Sequence, residues 1–318
     1  MTSSARTCRI AFLGCMLAGT SAIGQPVIGG EDADDPMWHA VAYIAAELTV
    51  DNPTPGSPAM YTWSCTGVLV SPTHVLTAAH CITPGVDRMR VYFGAKEPDV
   101  APAETIDVVG FVHHPAWNFV NGVDLAVIEL ASPSTYKPHL TASTRCTSSP
   151  SFVDGATATI VGYGIRNNES TETGRLQQAS VTIVDNDCND PMYAKECRRE
   201  GQELVGDGSS FGTSSCFGDS GGPIYLVTPA GPVVAGITSR GDVDAQKHCT
   251  GWGVYTRPDA HLAWLETTVG SHLAVSDCGE AEDAVGCSAS GAQAGMGWMA
   301  LLLVRRRRRR RRGPIGPR

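Results

Sequence analysis

The sequence predicts an all-β fold, and three observations carry that reading. Short runs rich in β-branched and aromatic residues recur at 41–44 (VAYI), 67–70 (GVLV), 89–93 (MRVYF), 125–128 (LAVI), 158–161 (ATIV) and 233–237 (VVAGI). Turn-rich segments separate them, and 35 glycines and 20 prolines suit many short strands better than a helical bundle. A single stretch reads as helix: Pro258 and Asp259 open it, and Leu262, Trp264 and Leu265 give it an apolar face. With 318 residues, 42% of them hydrophobic, the chain can bury a sizeable core in one large or two ordinary domains.

The two ends have a different character. Residues 1–24 read as a secretory signal: Arg6 and Arg9 make a basic start, 10–17 are apolar, and small residues follow to Gly24. Residues 25–26 then remain as a short propeptide. The strand pattern fills 27–270, and 271–290 reads as a linker whose later part is small and acidic. Residues 291–304 are apolar and 305–312 are eight consecutive arginines. That apolar stretch is short for a membrane span, which needs ~20 residues. The arginines fit a cytoplasmic stop. The expected location is secreted or cell-surface, with membrane contact through the tail before processing.

The formal charge of −8 hides this asymmetry. Residues 27–277 carry 13 basic and 29 acidic side chains, hence −16. An acidic body lacks the basic footprint that nucleic-acid binding requires, so nucleic acid is excluded as a partner. Eleven cysteines, two of them (Cys8, Cys15) in the leader, indicate an oxidising compartment. No CxxC pair occurs, which argues against a zinc ribbon or a thioredoxin-type site. The acids around 97–104 read as a solvated loop. Neither metal nor cofactor is expected.

Three blocks carry chemistry: TAAHC at 77–81, DLAVI at 124–128 and CFGDSGGP at 216–223. Attack on an amide carbonyl needs a nucleophile stronger than a free hydroxyl. His80 can take the proton of Ser220 and pass it to the leaving amine, and Asp124 can hold the imidazole tautomer and stabilise its cation. The backbone N–H groups of Gly218 and Ser220 can receive the developing oxyanion. GDSGG alone also satisfies the nucleophile elbow of α/β-hydrolases, but there the order is serine, acid, histidine. Here histidine and aspartate come first, which disfavours an esterase of that class.

The three blocks together, in this order, resemble the trypsin/chymotrypsin-like serine peptidases over roughly residues 27–269. VIGG at 27–30, GYG at 162–164 and GWGVYTRP at 251–258 match further landmarks. The resemblance implies two packed six-stranded antiparallel β-barrels with the active site between them, and peptide-bond hydrolysis through an acyl-enzyme. Its partners are polypeptide substrates and protein inhibitors. It implies disulfides Cys65–Cys81 and Cys216–Cys249, while Cys188 and Cys197 depart from the family pattern and should close a local loop. Cys146 and Cys278 remain as a fourth pair if Cys287 is used otherwise. It also implies that a freed Val27 amine pairs with Asp219. Pro26, rather than Lys or Arg, precedes Val27, so a trypsin-like activator is not indicated.

Alignment on Ser220 places Ser214 at the floor of the substrate pocket and Ser239, Gly241 and Gly253 along it. A serine floor and glycine walls imply a preference for Phe, Tyr, Leu or Met on the acyl side. Arg240 stands where the family commonly has tryptophan. The layout around Cys287, with a short apolar segment and arginines behind it, resembles the myxobacterial C-terminal sorting signal and implies processing at Cys287. The rival to an enzyme is a catalytically silent homologue that keeps the fold and acts as a binding protein.

Overall fold

The computed structural model describes residues 27–50, 59–94, 103–118, 122–169, 173–193, 196–198, 202–229 and 231–278. The leader, Cys287 and the arginine tail lie outside the described residues.

A two-residue strand, β1 (Glu31–Asp32), precedes the first barrel. That barrel comprises β2 (Val41–Val50), β3 (Ala59–Ser71), β4 (His74–Thr77), β5 (Arg88–Phe93), β6 (Glu104–His113) and β7 (Ala126–Leu130). It closes in the order β2-β3-β4-β7-β6-β5. Alternation dictates which faces turn inward. Along β5, Met89, Val91 and Phe93 are buried while Arg88, Arg90 and Tyr92 are not.

The second half contains β8 (Leu140–Ala142), β9 (Thr157–Gly162), β10 (Gln177–Asp185), β11 (Glu203–Asp207), β12 (Pro223–Thr228), β13 (Gly231–Val243), β14 (Cys249–Thr256) and β15 (Val275–Ser276). Strands β12-β9-β10-β11-β14-β13 form a second antiparallel barrel, closed by β12 against β13. Two closed six-stranded barrels are the architecture the sequence predicts. Each early β-rich run lies in a strand, except that Leu125 stands just ahead of β7. The predicted helix is a 3-10 turn, Pro258–His261, running into α1 (Leu262–Val269). Gly270 ends it with φ +73°, the left-handed conformation glycine adopts cheaply.

Residues 271–278, read from the sequence as the start of the linker, are packed on the barrel. β15 pairs parallel to β8, which itself pairs parallel to β13. Cys146–Cys278 is a disulfide, and Ser149 Oγ donates to the Cys278 carbonyl at 3.1 Å. A two-residue strand gives little sequence signal, so this extension was not legible there. Cys65–Cys81, Cys188–Cys197 and Cys216–Cys249 are the other disulfides among the described residues.

The barrels meet through one continuous core in which Tyr163, Leu176, Tyr225, Val234 and Ile237 of the second pack with the first. Trp38 stacks near Tyr225, with ring centroids 5.1 Å apart. Buried His139 bridges the same seam, bonding Tyr225 Oη at 2.5 Å and the Met37 carbonyl at 2.8 Å. Burial pushes its imidazole down to about 4, so it is neutral and serves packing.

Candidate active site

Each barrel delivers its part of the site from just outside a strand. His80 lies on the 3-10 turn Ala79–Cys81 after β4, which the Cys65–Cys81 disulfide fastens to β3. Asp124 immediately precedes Leu125 and β7. Ser220 lies on the loop before β12. Thr66 of β3 ties that loop to the first barrel: its N–H donates to the Ser220 carbonyl at 2.8 Å and its Oγ1 to the Gly218 carbonyl at 2.8 Å.

Asp124 is buried and receives three hydrogen bonds. The His80 N–H donates to Oδ1 at 2.9 Å, His80 Nδ1 to Oδ2 at 2.7 Å, and Ser239 Oγ to Oδ2 at 2.6 Å. Burial pushes this carboxyl up, but the bonds from His80 and Ser239 outweigh it and leave it below the usual range. Asp124 is therefore an anion at neutral pH, and Nδ1 carries the proton, leaving Nε2 as a base. His80 and Ser220 line the same cavity of about 550 Å³. The Ser220 Oγ to His80 Nε2 bond is not among those formed here; such bonds often tighten only with substrate in place.

In the loop around the serine, the donors nearest its hydroxyl are left uncommitted. The N–H groups of Asp219, Gly221 and Gly222 bond to the carbonyls of Cys216, Thr238 and Asp219. Those of Gly218 and Ser220 bond to nothing among the described residues. Gly218 has φ +95°, and a Cβ there would come within 2.9 Å of Gly164 Cα.

Asp219 points the opposite way, into the protein. It is 3% exposed and accepts from the N–H groups of Gly164 and Cys216 at 2.8 and 2.9 Å. Burial pushes its carboxyl up to about 7, against those two bonds. No cation is bonded to it among the described residues. Val27 is buried in the second barrel's core, and Ile28 bridges to Ser214.

The cavity extends from Trp63 to Cys249 and includes Ser215, Phe217, Gly241 and Val243. Ser239 lines it as well. Ser214 and Gly253, placed along the pocket by the sequence, are not among the residues that line this cavity. Ser214 Oγ donates to the Ser215 carbonyl at 2.9 Å and accepts from the Gly251 N–H at 3.2 Å. A Cβ at Gly253 would meet Ser215 Oγ at 2.8 Å. Among the described residues, no acidic side chain lines the cavity. Asp242 bonds Thr250 and Asp244 pairs with His248 at 3.0 Å, both away from it.

The family model for trypsin matches residues 28–265. This chain belongs to the trypsin family. The peptidase is 33% identical to chymotrypsin of Phaedon cochleariae over 216 residues, 64% of this chain and 72% of that protein. It is 26% identical to tryptase of Mus musculus over 258 residues, 78% of this chain and 90% of that one. A solved structure of HL collagenase shares its fold with a TM-score of 0.60 at 23% identity, covering 77% of this chain and 99% of the other. The trypsin-family chain is a serine endopeptidase. Its disulfides suit an oxidising, extracellular setting. No helix among the described residues is long and apolar enough to cross a membrane.

Proposed function

We propose that the enzyme cleaves peptide bonds through an acyl-enzyme on Ser220, with His80 as general base and then acid, and Asp124 orienting the imidazole. The observation that carries this is the convergence of the His80–Asp124 bond at 2.7 Å with Ser220 and two uncommitted loop N–H groups in one cavity. Ser220 Oγ adds to the scissile carbonyl as its proton passes to His80 Nε2, and the N–H groups of Gly218 and Ser220 receive the negative oxygen. Imidazolium then protonates the leaving amine, and water repeats the sequence to release the acid.

Before this chemistry, the Val27 amine is freed and pairs with Asp219. A buried carboxyl held at about 7 by burial is the group that a cation would stabilise most. Removal of residues 25–26 after signal cleavage exposes that amine. The substrate side chain on the acyl side is large and apolar, Phe, Tyr, Leu or Met. The described lining holds no acid to serve as counter-ion for Lys or Arg, and Phe217 and Val243 supply apolar wall. The enzyme is secreted or held at the cell surface, with the tail processed at Cys287.

Fluorophosphonate labelling, followed by cleavage profiling on a peptide library, tests the reading. Label should enter Ser220, and Ser220→Ala should lose label and turnover by roughly 10⁴–10⁶-fold while staying folded. A folded Ser220→Ala protein with near-normal peptidase activity would overturn the mechanism. Efficient cleavage after Arg but not Phe would overturn the preference. An active form that begins elsewhere than Val27 would overturn the activation step.

A further inference from the structure

Ser239 and Arg240 are consecutive in β13, and on a regular strand their side chains would face opposite ways. The register of β13 against β14 shifts between Thr238 and Arg240, and a bulge of this kind re-aims the side chains beside it. Ser239 Oγ consequently donates to Asp124 Oδ2 at 2.6 Å and accepts from Arg240 Nη1 at 3.2 Å.

The guanidinium is fixed from its far side. Nη1 donates to Glu203 Oε1 at 2.8 Å and Nη2 to Glu203 Oε2 at 2.6 Å, and Nη2 also donates to the Glu196 carbonyl. The Glu203 side chain is 1% exposed and also accepts the Arg198 N–H at 2.7 Å. A hydroxyl has one proton and two lone pairs. A cationic donor on the oxygen leaves that one proton for Asp124 and makes it a stronger donor.

We propose that Arg240, clamped by Glu203, is a positioning residue that acts through Ser239 to hold the hydroxyl proton on the catalytic aspartate. The inference rests on the triad reading above. It also says what Arg240 does not do. All four N–H bonds of its two terminal nitrogens are engaged, and its charge is matched by Glu203. It lines the substrate cavity as a fixed wall and recruits no acidic substrate residue.

The titratable and charged groups bonded to this cluster come from three elements: His80 from the turn after β4, Arg240 from β13 and Glu203 from β11. His114, whose N–H bonds the Leu125 carbonyl beside Asp124, is pushed down to about 4 by burial and by His261, and stays neutral. Losing the Ser239 bond leaves Asp124 a less satisfied anion. Asp124 then stabilises imidazolium more, His80 holds its proton to higher pH, and the acidic limb of kcat/KM moves up.

The test is the pH profile of kcat/KM for the processed enzyme and for Arg240→Met, Arg240→Met/Glu203→Gln, Ser239→Ala and Ser239→Ala/Arg240→Met. Arg240→Met should raise the acidic limb by about one pH unit, with a loss on the order of tenfold below it, the size of one hydrogen bond to a charged group. Arg240→Met/Glu203→Gln buries no bare carboxylate and should keep the shift, which assigns it to the Ser239 bond. That variant carries the test where Arg240→Met alone does not fold. In the Ser239→Ala background, Arg240→Met should add less than about twofold. An unmoved limb in an enzyme that takes fluorophosphonate overturns this inference alone, as does a limb restored by Glu203→Gln or additivity with Ser239→Ala. A processed wild-type enzyme that takes no label overturns the triad reading, and this one with it.

Discussion

Asp219 gives the unprocessed chain a pH dependence of unusual sign. Its carboxyl is held at about 7 in the fold, 3% exposed and with no cation bonded among the described residues. In the unfolded chain it returns to about 4. Between those values the folded chain keeps a proton that the unfolded chain has released. Stability therefore falls as pH rises through that window, and is flat above it. Three units at about 1.4 kcal/mol each give roughly 4 kcal/mol lost between pH 4 and 7. Pairing with the Val27 amine removes the penalty, so the form beginning at Val27 should lack the slope. Urea unfolding of the unprocessed chain, made inert by Ser220→Ala, with and without Asp219→Asn, isolates the effect. The stability of the asparagine variant relative to its parent should climb by about that amount from pH 4 to 7 in the unprocessed chain. In the form beginning at Val27 that climb should vanish, and the asparagine variant should be the less stable of the two at pH 7, because there the paired carboxylate is stabilising. A flat difference across that range in the unprocessed chain would refute the argument.

Two further outcomes follow from the geometry. Cys278→Ser opens a disulfide spanning 132 residues, and loop entropy sets the loss at up to about 5 kcal/mol, read as a lower Tm. Gly218→Ala places a Cβ within 2.9 Å of Gly164 Cα and Thr173 Cγ2 at φ +95°, displacing one of the uncommitted N–H groups proposed to receive the oxyanion. It should cut kcat by about 10²–10³-fold with KM nearly unchanged.

What the sequence made legible was local. The blocks around His80, Asp124 and Ser220 are each contiguous, so one-dimensional spacing carries them. Alternation in runs such as 89–93 announces a barrel strand directly. Cys188 and Cys197 are nine residues apart and close their own loop. What the sequence hid depends on distance or on a shift of register. Ser214 was placed by counting from Ser220; it is not among the residues lining the cavity, and its hydroxyl bonds the Ser215 carbonyl and the Gly251 N–H. Arg240 was legible as a departure from the family, but its partner Glu203 lies 37 residues earlier, with no pattern to link the two. The bulge at Ser239 is a property of pairing, invisible in the strand's own composition. The arginine tail, conspicuous in composition, lies outside the described residues.

The disulfide between Cys146 and Cys278 makes residues 146–278 a closed covalent ring. Every strand of the second barrel, from Thr157 to Thr256, belongs to that ring, and every strand of the first lies outside it. Traction on the chain beyond Cys278 crosses directly to Cys146 and continues along the connector toward the first barrel. The covalent path of that load bypasses the ring's interior. A pull at the far end thus has a covalent path to the half that holds His80 and Asp124 that does not run through the strands of the half that holds Ser220.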